Sequence, residues 1–479
     1  MSKKAVVWIR DDFRIKNNSA LSYATNNYDT VTALYIYNKE NFDDVREAQK
    51  WWVSKSLINF KDELIKYNIE LELVFSDEIT FFSKVKGKQE ISIFWNKIYE
   101  PSQLKLDNDL IKIFEKNKIL SKCFKGNVLN EYNNVTKDDG SPYKVYSPFW
   151  RVGEQIYLDS IPSKSLNVKK VKSKIKLFKN NNVPDQILPK KNWYKKFEKY
   201  WDPSEKQSEK YLNEFVENRM LKYGVDRDYP AINGSSKLSP FIRNGQIHVS
   251  NIWDKCYKYK SKNISVKKYL NELGWREFSH SLINYFPQML KGNLRKEFDK
   301  FPWDKNAKNL KAWKNGMTGY PIVDAGMRQL YETGWMHNRI RMVVGSFLVK
   351  HLRINWKEGE KHFRNCLLDF NEANNVAQWQ WVAGCGADAA PYFRIFNPIL
   401  QGEKFDKQGL YVKKWVPELE RVPSKFIHKP WEMETKYQEA IKTKIGSDYP
   451  SPIVVHEEAR NAALKACLLY TSPSPRDRP

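Results

Sequence analysis

Asn374-Asn375-Val376-Ala377-Gln378-Trp379-Gln380-Trp381, continuing after Val382-Ala383 as Gly384-Cys385-Gly386-Ala387-Asp388-Ala389-Ala390-Pro391-Tyr392-Phe393-Arg394-Ile395-Phe396-Asn397-Pro398, is the stretch on which the reading of this chain turns. A helix here, at about 100° per residue, sets Asn375 and Trp379 one turn apart on one face and sends Trp381 almost the opposite way. A helix that only packs would more readily carry Leu or Ile, because a buried indole N–H needs a polar partner. Trp pairs in cores are common all the same. The spacing therefore leaves two readings open: a core helix, or a helix with one face for a redox cofactor and the other for a substrate.

The chain has 479 residues, room for roughly three domains of about 150 residues or for two larger ones. Lys and Arg number 81 against 56 Asp and Glu, a net charge of +25. Such a surplus suits a polyanionic partner, nucleic acid first among them. Abundant Lys, Asn and Ile are also what an AT-rich genome imposes. Five scattered cysteines, Cys123, Cys256, Cys366, Cys385 and Cys467, contain no C-x-x-C pair, which speaks against a disulfide framework or a zinc site and for a reducing compartment. The first apolar run, Ala5 to Ile9, is too short for a signal-peptide core. No run approaches the ~20 apolar residues of a membrane span, so a cytoplasmic protein without a membrane partner is expected.

Working outward, Ala5–Ile9, Val31–Tyr37, Leu71–Phe75 and Ile91–Trp95 read as strands, and Ala48 to Tyr67 has helical spacing. The pattern predicts an α/β domain with a doubly wound, Rossmann-like parallel sheet. It lacks a G-x-G-x-x-G, and Gly384-Cys385-Gly386 follows a helical segment, not a strand. Lys164 to Lys191, rich in Lys, Asn, Ser and Pro, reads as a long surface connection. From about Ser204 to Ala466 the pattern is helical. The expected division is an α/β domain over 1–130, a connection over 131–203, a helical domain over 204–466, and an artefactual or disordered tail over 467–479.

Three further patterns hold candidate chemistry. Gly234-Ser235-Ser236-Lys237-Leu238-Ser239-Pro240 gathers hydroxyls and amides into a turn before a helix, which suits a pyrophosphate but equally an ordinary turn or cap. Trp335-Met336-His337-Asn338-Arg339-Ile340-Arg341-Met342 places Asn338 and Met342 on one helical face, though a plain amphipathic helix accounts for its arginines as well. Glu272-Leu273-Gly274-Trp275-Arg276-Glu277-Phe278 sets a carboxyl and an indole at i and i+3, the usual arrangement of a solvated edge beside a core anchor.

These words, with Gln401-Gly402-Glu403-Lys404-Phe405-Asp406 and the amino-terminal Val7-Trp8-Ile9-Arg10-Asp11-Asp12-Phe13-Arg14, closely resemble the DNA photolyase and cryptochrome family from about residue 4 to 466, most of all its class I bacterial cyclobutane pyrimidine dimer photolyases. The resemblance implies the α/β-plus-helical architecture and FAD in the helical domain. It assigns FAD contacts to Tyr223, Ser235, Ser236, Lys237, Leu238 and Ser239, to Arg341 paired with Asp369, to Phe370 and Asn371, and to Asn375 at the flavin N5. Ser235 and Lys237 stand where the family has Thr and Arg, and Asn371 where an acid is common. Trp379, Trp356 and Trp303, identified by their surrounding words, match the electron-transfer chain that photoreduces the flavin. Trp275 and Trp381 are implied to stack on an extruded base pair, Glu272 to hydrogen-bond a thymine edge, and Asn338 and Met342 to face the lesion. Arg227, Arg276, Arg339, Arg394 and Gln401 would line the DNA path. Asn130-Glu131 resembles a motif holding 5,10-methenyltetrahydrofolate as antenna, with 8-hydroxy-5-deazaflavin the alternative.

The function so implied is light-driven repair of cyclobutane pyrimidine dimers in ultraviolet-damaged DNA, by a monomer without a metal. A dimerised pair is already poorly stacked, so extruding it costs less than extruding normal bases. A (6-4) photolyase would carry a His pair where this chain has His337-Asn338, and a blue-light signalling cryptochrome without repair is the second reading.

Overall fold

Four short runs rich in β-branched, aromatic and other apolar residues build a sheet covered on both faces. The computed structural model describes residues 4–38, 46–85, 91–160, 167–178, 183–189, 191–389, 391–392 and 394–468. Strands β1 (Lys4–Ile9), β2 (Thr30–Tyr37), β3 (Glu70–Phe75), β4 (Ile91–Asn96) and β5 (Ser121–Phe124) form a parallel sheet in the order β3-β2-β1-β4-β5. Helices α1 (Ser19–Asn27), α2 (Glu47–Ile65), α3 (Glu78–Ser83) and α4 (Pro101–Lys116) join them. Successive side chains of β1 alternate between two cores. Ala5, Val7 and Ile9 pack with Leu21, Ala24, Leu57 and Phe60, while Val6 and Trp8 pack with Phe82, Leu110 and Phe114. The four strands expected from sequence are present. The fifth, Ser121-Lys122-Cys123-Phe124, lies beside β4 and carries no apolar run, so it gave no signal.

The expected surface connection needs correction. Tyr146–Asp159 is a helix, α5, with Phe149, Trp150 and Tyr157 buried. Farther on, Val171 and Ile187 enter the core on one face of the sheet, and the Glu72 carboxylate accepts the N–H groups of Leu177 and Phe178 at 2.6 and 2.9 Å. Single apolar residues in extended chain can be buried without producing any periodicity. Residues 161–166, 179–182 and 190, and the tail from 469 on, lie outside the described residues.

The chain divides into two compact units, Met1–Leu221 with Ser236–Tyr285 and Leu368–Ala373, and Lys222–Ser235 with Phe286–Leu367 and Asn374–Pro479. The first combines the sheet with helices up to Ile264–Tyr285. The second is helical: Pro321–Thr333, Asn338–Ser346 running on as a π-turn through Phe347–His351, Trp356–Cys366, Pro398–Phe405 and His456–Leu468. Among the described residues no helix is long and apolar enough to cross a membrane, no group of three or more His, Cys, Asp or Glu could hold a metal, and the five cysteines are free thiols.

Candidate functional site

The signature segment is a helix, Glu372–Ala383. It stops where Gly384 takes a φ of +82° and the N–H groups of Cys385 and Gly386 both return to the Gln380 carbonyl, at 3.1 Å each. Asn375 and Trp379 are buried on one side and Trp381 is half-exposed. The Asn375 amide nitrogen donates to the Glu360 carboxylate at 3.0 Å and to the Glu360 main-chain carbonyl at 3.3 Å. Both partners accept only, so the nitrogen of the amide faces them and its oxygen is turned away. Glu360 is itself held by Arg364, at 2.8 Å. Trp379 meets Phe363 edge-on at 5.0 Å and Trp313 at 6.3 Å. A side chain at Gly359 would lie 2.1 Å from the Trp379 ring, so glycine there makes room for the indole. Between the two indoles Gln380 is fully buried. Its amide donates to the carbonyls of Met289 and Gly292 and accepts from the Leu294 N–H, fixing the loop that carries Asn293. Asn293 in turn accepts the N–H of the buried Trp356 at 2.8 Å. Trp303 is half-buried against Phe301, ring centres 4.4 Å apart.

In the first unit the serine-rich turn has Lys237 at φ +54°, and the Leu238 N–H reaches Ser236 Oγ at 3.4 Å. Ser239 opens a short helix and donates to Asp369 at 2.6 Å. The Asp369-Phe370-Asn371 turn is tied down by residues sequence reasoning missed. Gln49 of α2 and Arg243 donate to the Phe370 carbonyl at 2.8 and 2.6 Å, and Arg46 lies over the Phe370 ring at 5.1 Å. Arg243 also pairs with Asp11, just past β1. Thus two candidate cofactor segments, Ser236–Ser239 and Asp369–Asn371, are brought together by one hydrogen bond and braced by the α/β layer. In the second unit Tyr223 is buried beneath Arg227, whose guanidinium sits 5.1 Å above the ring. Leu238 is fully buried.

The substrate candidates divide. His337 caps the helix Asn338–Ser346, its Nδ1 accepting the Arg339 N–H at 3.2 Å. Burial, above all, lowers the His337 pKa to about 4. From this cap Asn338 is exposed and Met342 half-exposed. Arg339 pairs with Asp228 at 2.6 Å and lies over Phe405 at 4.5 Å. Arg341 Nε donates to the Met336 carbonyl at 2.8 Å. Arg394 is exposed, while its carbonyl accepts from buried Lys350 at 2.6 Å; desolvation lowers the Lys350 pKa to about 7. Gln401 Oε1 is enclosed without a hydrogen-bond partner among the described residues. Trp275 and Glu272 are half-buried on the helix Ile264–Tyr285.

Two assignments do not fit the geometry. Arg276 turns inward and pairs with buried Glu277 at 3.1 Å, and Glu277 accepts the N–H groups of Leu129 and Asn130 at 3.0 Å each. Its guanidinium braces the α/β layer and is not offered to phosphate. The Asn130 amide donates to the Gly153 carbonyl at 2.8 Å in a buried position; it holds α5 and is not presented to a ligand. Glu131 accepts from Tyr99 at 2.9 Å and Lys97 at 3.1 Å. Both residues looked available because sequence shows a polar side chain but not the carbonyl or carboxylate it will meet.

Comparison with known proteins agrees with these elements. Residues 5–166 match the family described as DNA photolyase, and residues 269–468 the family described as the FAD binding domain of DNA photolyase. The deoxyribodipyrimidine photo-lyase of Agrobacterium fabrum is 40% identical, the match covering 96% of this chain and 97% of the relative. Cryptochrome-2 of Arabidopsis thaliana is 30% identical over 97% of this chain and 79% of its own length. A crystal structure of a bacterial class III photolyase from Agrobacterium tumefaciens superposes with a TM-score of 0.92 at 38% identity, covering 97% of both chains.

Proposed function

The chain belongs to the DNA photolyase and cryptochrome family, and from that premise we propose that it repairs cyclobutane pyrimidine dimers in DNA in a light-dependent reaction. The structural likeness is to a class III enzyme, so the subclass is read as III and not as the class I suggested by the motifs. FAD would be held by Tyr223, Ser235, Ser236, Lys237, Ser239, Asp369, Phe370, Asn371, Arg341 and Asn375. The chemistry the flavin supplies when bound is transfer of one electron, driven by blue light, to the dimer, whose cyclobutane bonds then open and return it. The residues 204–466 serve flavin and lesion, and 1–130 serve an antenna.

The observation that carries this reading is the locked Asn375 amide. Glu360 accepts from its nitrogen, so the oxygen is the part left for a flavin, and an oxygen can only accept. Such a group favours a flavin bearing a proton at N5, as the reduced flavin that repair requires does. Trp381, Asn338 and Met342 keep partly exposed surface for an apolar, flipped substrate, and stacking of bases on aromatic rings contributes ~1–3 kcal/mol each. Trp379, Trp356 and Trp303 serve photoreduction. No side chain acts as nucleophile or general base.

The test uses chain loaded with FAD, chemically reduced and mixed with ultraviolet-irradiated oligothymidine under blue light. Absorbance at 260 nm rises as pyrimidines are restored; with flavin bound and no rise, light signalling without repair replaces this reading. For the antenna, folate at Asn130–Glu131 now rests on Glu131. For a deazaflavin, the alternative, the place to look is the polar crevice lined by Asp12, Asn96, Lys97, Glu100 and Arg243 at the carboxyl ends of β1 and β4, where doubly wound sheets take ligands. Extraction of the native protein and the absorption spectrum of the released chromophore decide between them.

A further inference from the structure

Trp275 lies flat on another ring. Its indole and the phenol of Tyr146 are 3.8 Å apart between centres, with planes only 9° from parallel. Phe278 meets the same indole at 5.9 Å and 69°, an edge contact. A parallel contact at that separation occupies one face of Trp275. The residue nevertheless stays partly exposed, and a ligand that stacks on it must use the face opposite Tyr146.

Tyr146 is held for this position. It is the first residue of α5 and is buried. Its hydroxyl donates to the Asn271 carbonyl at 2.8 Å, one helical turn before Trp275. Burial, then the nearby Glu272 carboxylate, raise the phenol's pKa and keep it a donor. Gly274 supplies the remaining room: a side chain there would lie 2.4 Å from the Trp150 ring and 2.7 Å from the Tyr146 oxygen. The Gly-Trp pair on the helix and the Tyr at the head of α5 therefore form one construction, in which absence of a Cβ lets α5 approach and a ring is set against the indole.

We propose that Tyr146 is a positioning residue for lesion recognition, the rear layer of a three-layer stack whose middle is Trp275 and whose front is the flipped pyrimidine pair. This rests on the reading of Trp275 as the residue that stacks on the lesion. A surface indole with two free torsions must be ordered when a base lands on it, which weakens binding; an indole already fixed in plane avoids that cost. The parallel contact also confines recognition to one face.

Affinities of FAD-loaded protein, measured in the dark for an oligonucleotide with one thymine dimer and for its undamaged counterpart, test this. Tyr146→Leu fills the space without a flat face, and Tyr146→Phe keeps the stack without the hydroxyl. Tyr146→Leu should weaken lesion binding about two- to tenfold, the range of one aromatic pair, with the loss confined to damaged DNA. Tyr146→Phe should recover most of it. In a Trp275→Ala background Tyr146→Leu should cost nothing more. An undiminished loss in that background, an equal loss on undamaged DNA, or no loss where Trp275→Ala shows one, overturns the proposal while leaving Trp275 in its role. If Trp275→Ala itself binds the lesion as wild type does, the reading of Trp275 fails and the three-layer stack with it. Circular dichroism and flavin content show whether each variant is folded.

Discussion

A single nitrogen decides how the helix Asn338–Ser346 responds to acid. His337 Nδ1 accepts the Arg339 N–H, and a protonated imidazole has no acceptor left. Its pKa is lowered to about 4, chiefly by burial, against about 6.5 in the unfolded chain. The folded state thus binds fewer protons between these values, and stability falls as pH drops through that window. His337→Asn keeps a capping acceptor and removes the titration. Relative to wild type it should gain about 2 kcal/mol between pH 7.5 and 5, read by urea unfolding at both pH values; parallel pH profiles would refute the assignment. Glu360 is the companion case. With Glu360→Leu the Asn375 amide is free to turn, and reduced flavin should reoxidise in air faster by about fivefold, the equivalent of one net hydrogen bond of about 1 kcal/mol. Asn375 and Trp379 could be picked out from sequence because their words are distinctive. Glu360, Gln49 and Tyr146 could not, since each acts on a residue far away in the chain.

Helices and strands show the same divide. β1 to β4 were legible because both faces of the sheet are covered and most positions are apolar, whereas β5 borrows its place from β4 and needs no pattern of its own. In the second unit the helix Trp356–Cys366 approaches the signature helix at Gly359. Gly359→Ala puts a carbon 2.1 Å from the Trp379 ring; forcing the indole to shift should cost about 1–3 kcal/mol, visible as a lower melting temperature with the helical content unchanged at 25 °C. Trp356, hydrogen-bonded and buried on the same helix, is proposed to carry electrons to the flavin. Trp356→Phe should abolish photoreduction of oxidised flavin and spare repair by chemically reduced enzyme. Loss of both activities would show the indole to be structural.

At the scale of the molecule, a charge of +25 says that a polyanion will be attracted but not where. Arg227, Arg339 and Arg394 as phosphate contacts predict that lesion affinity falls with salt at a logarithmic slope of about −2 to −3, near −0.9 per contact. Arg394→Ala should flatten that slope by about one. Arg339→Ala should flatten it less, because Asp228 already neutralises that guanidinium at 2.6 Å; equal effects would mean the ion pair opens on binding. The order of elements, the parallel sheet and the words of the flavin segment were determined by the sequence itself, since periodicity and local motif are properties of consecutive residues. Which polar groups remain for ligands was decided only by the tertiary structure. Asn130 and Arg276 are consumed by the Gly153 carbonyl and Glu277, and Asn375 is turned by Glu360. A buried donor takes whatever acceptor the packing brings within 3 Å, and that partner is fixed by the fold and not by neighbours in the chain.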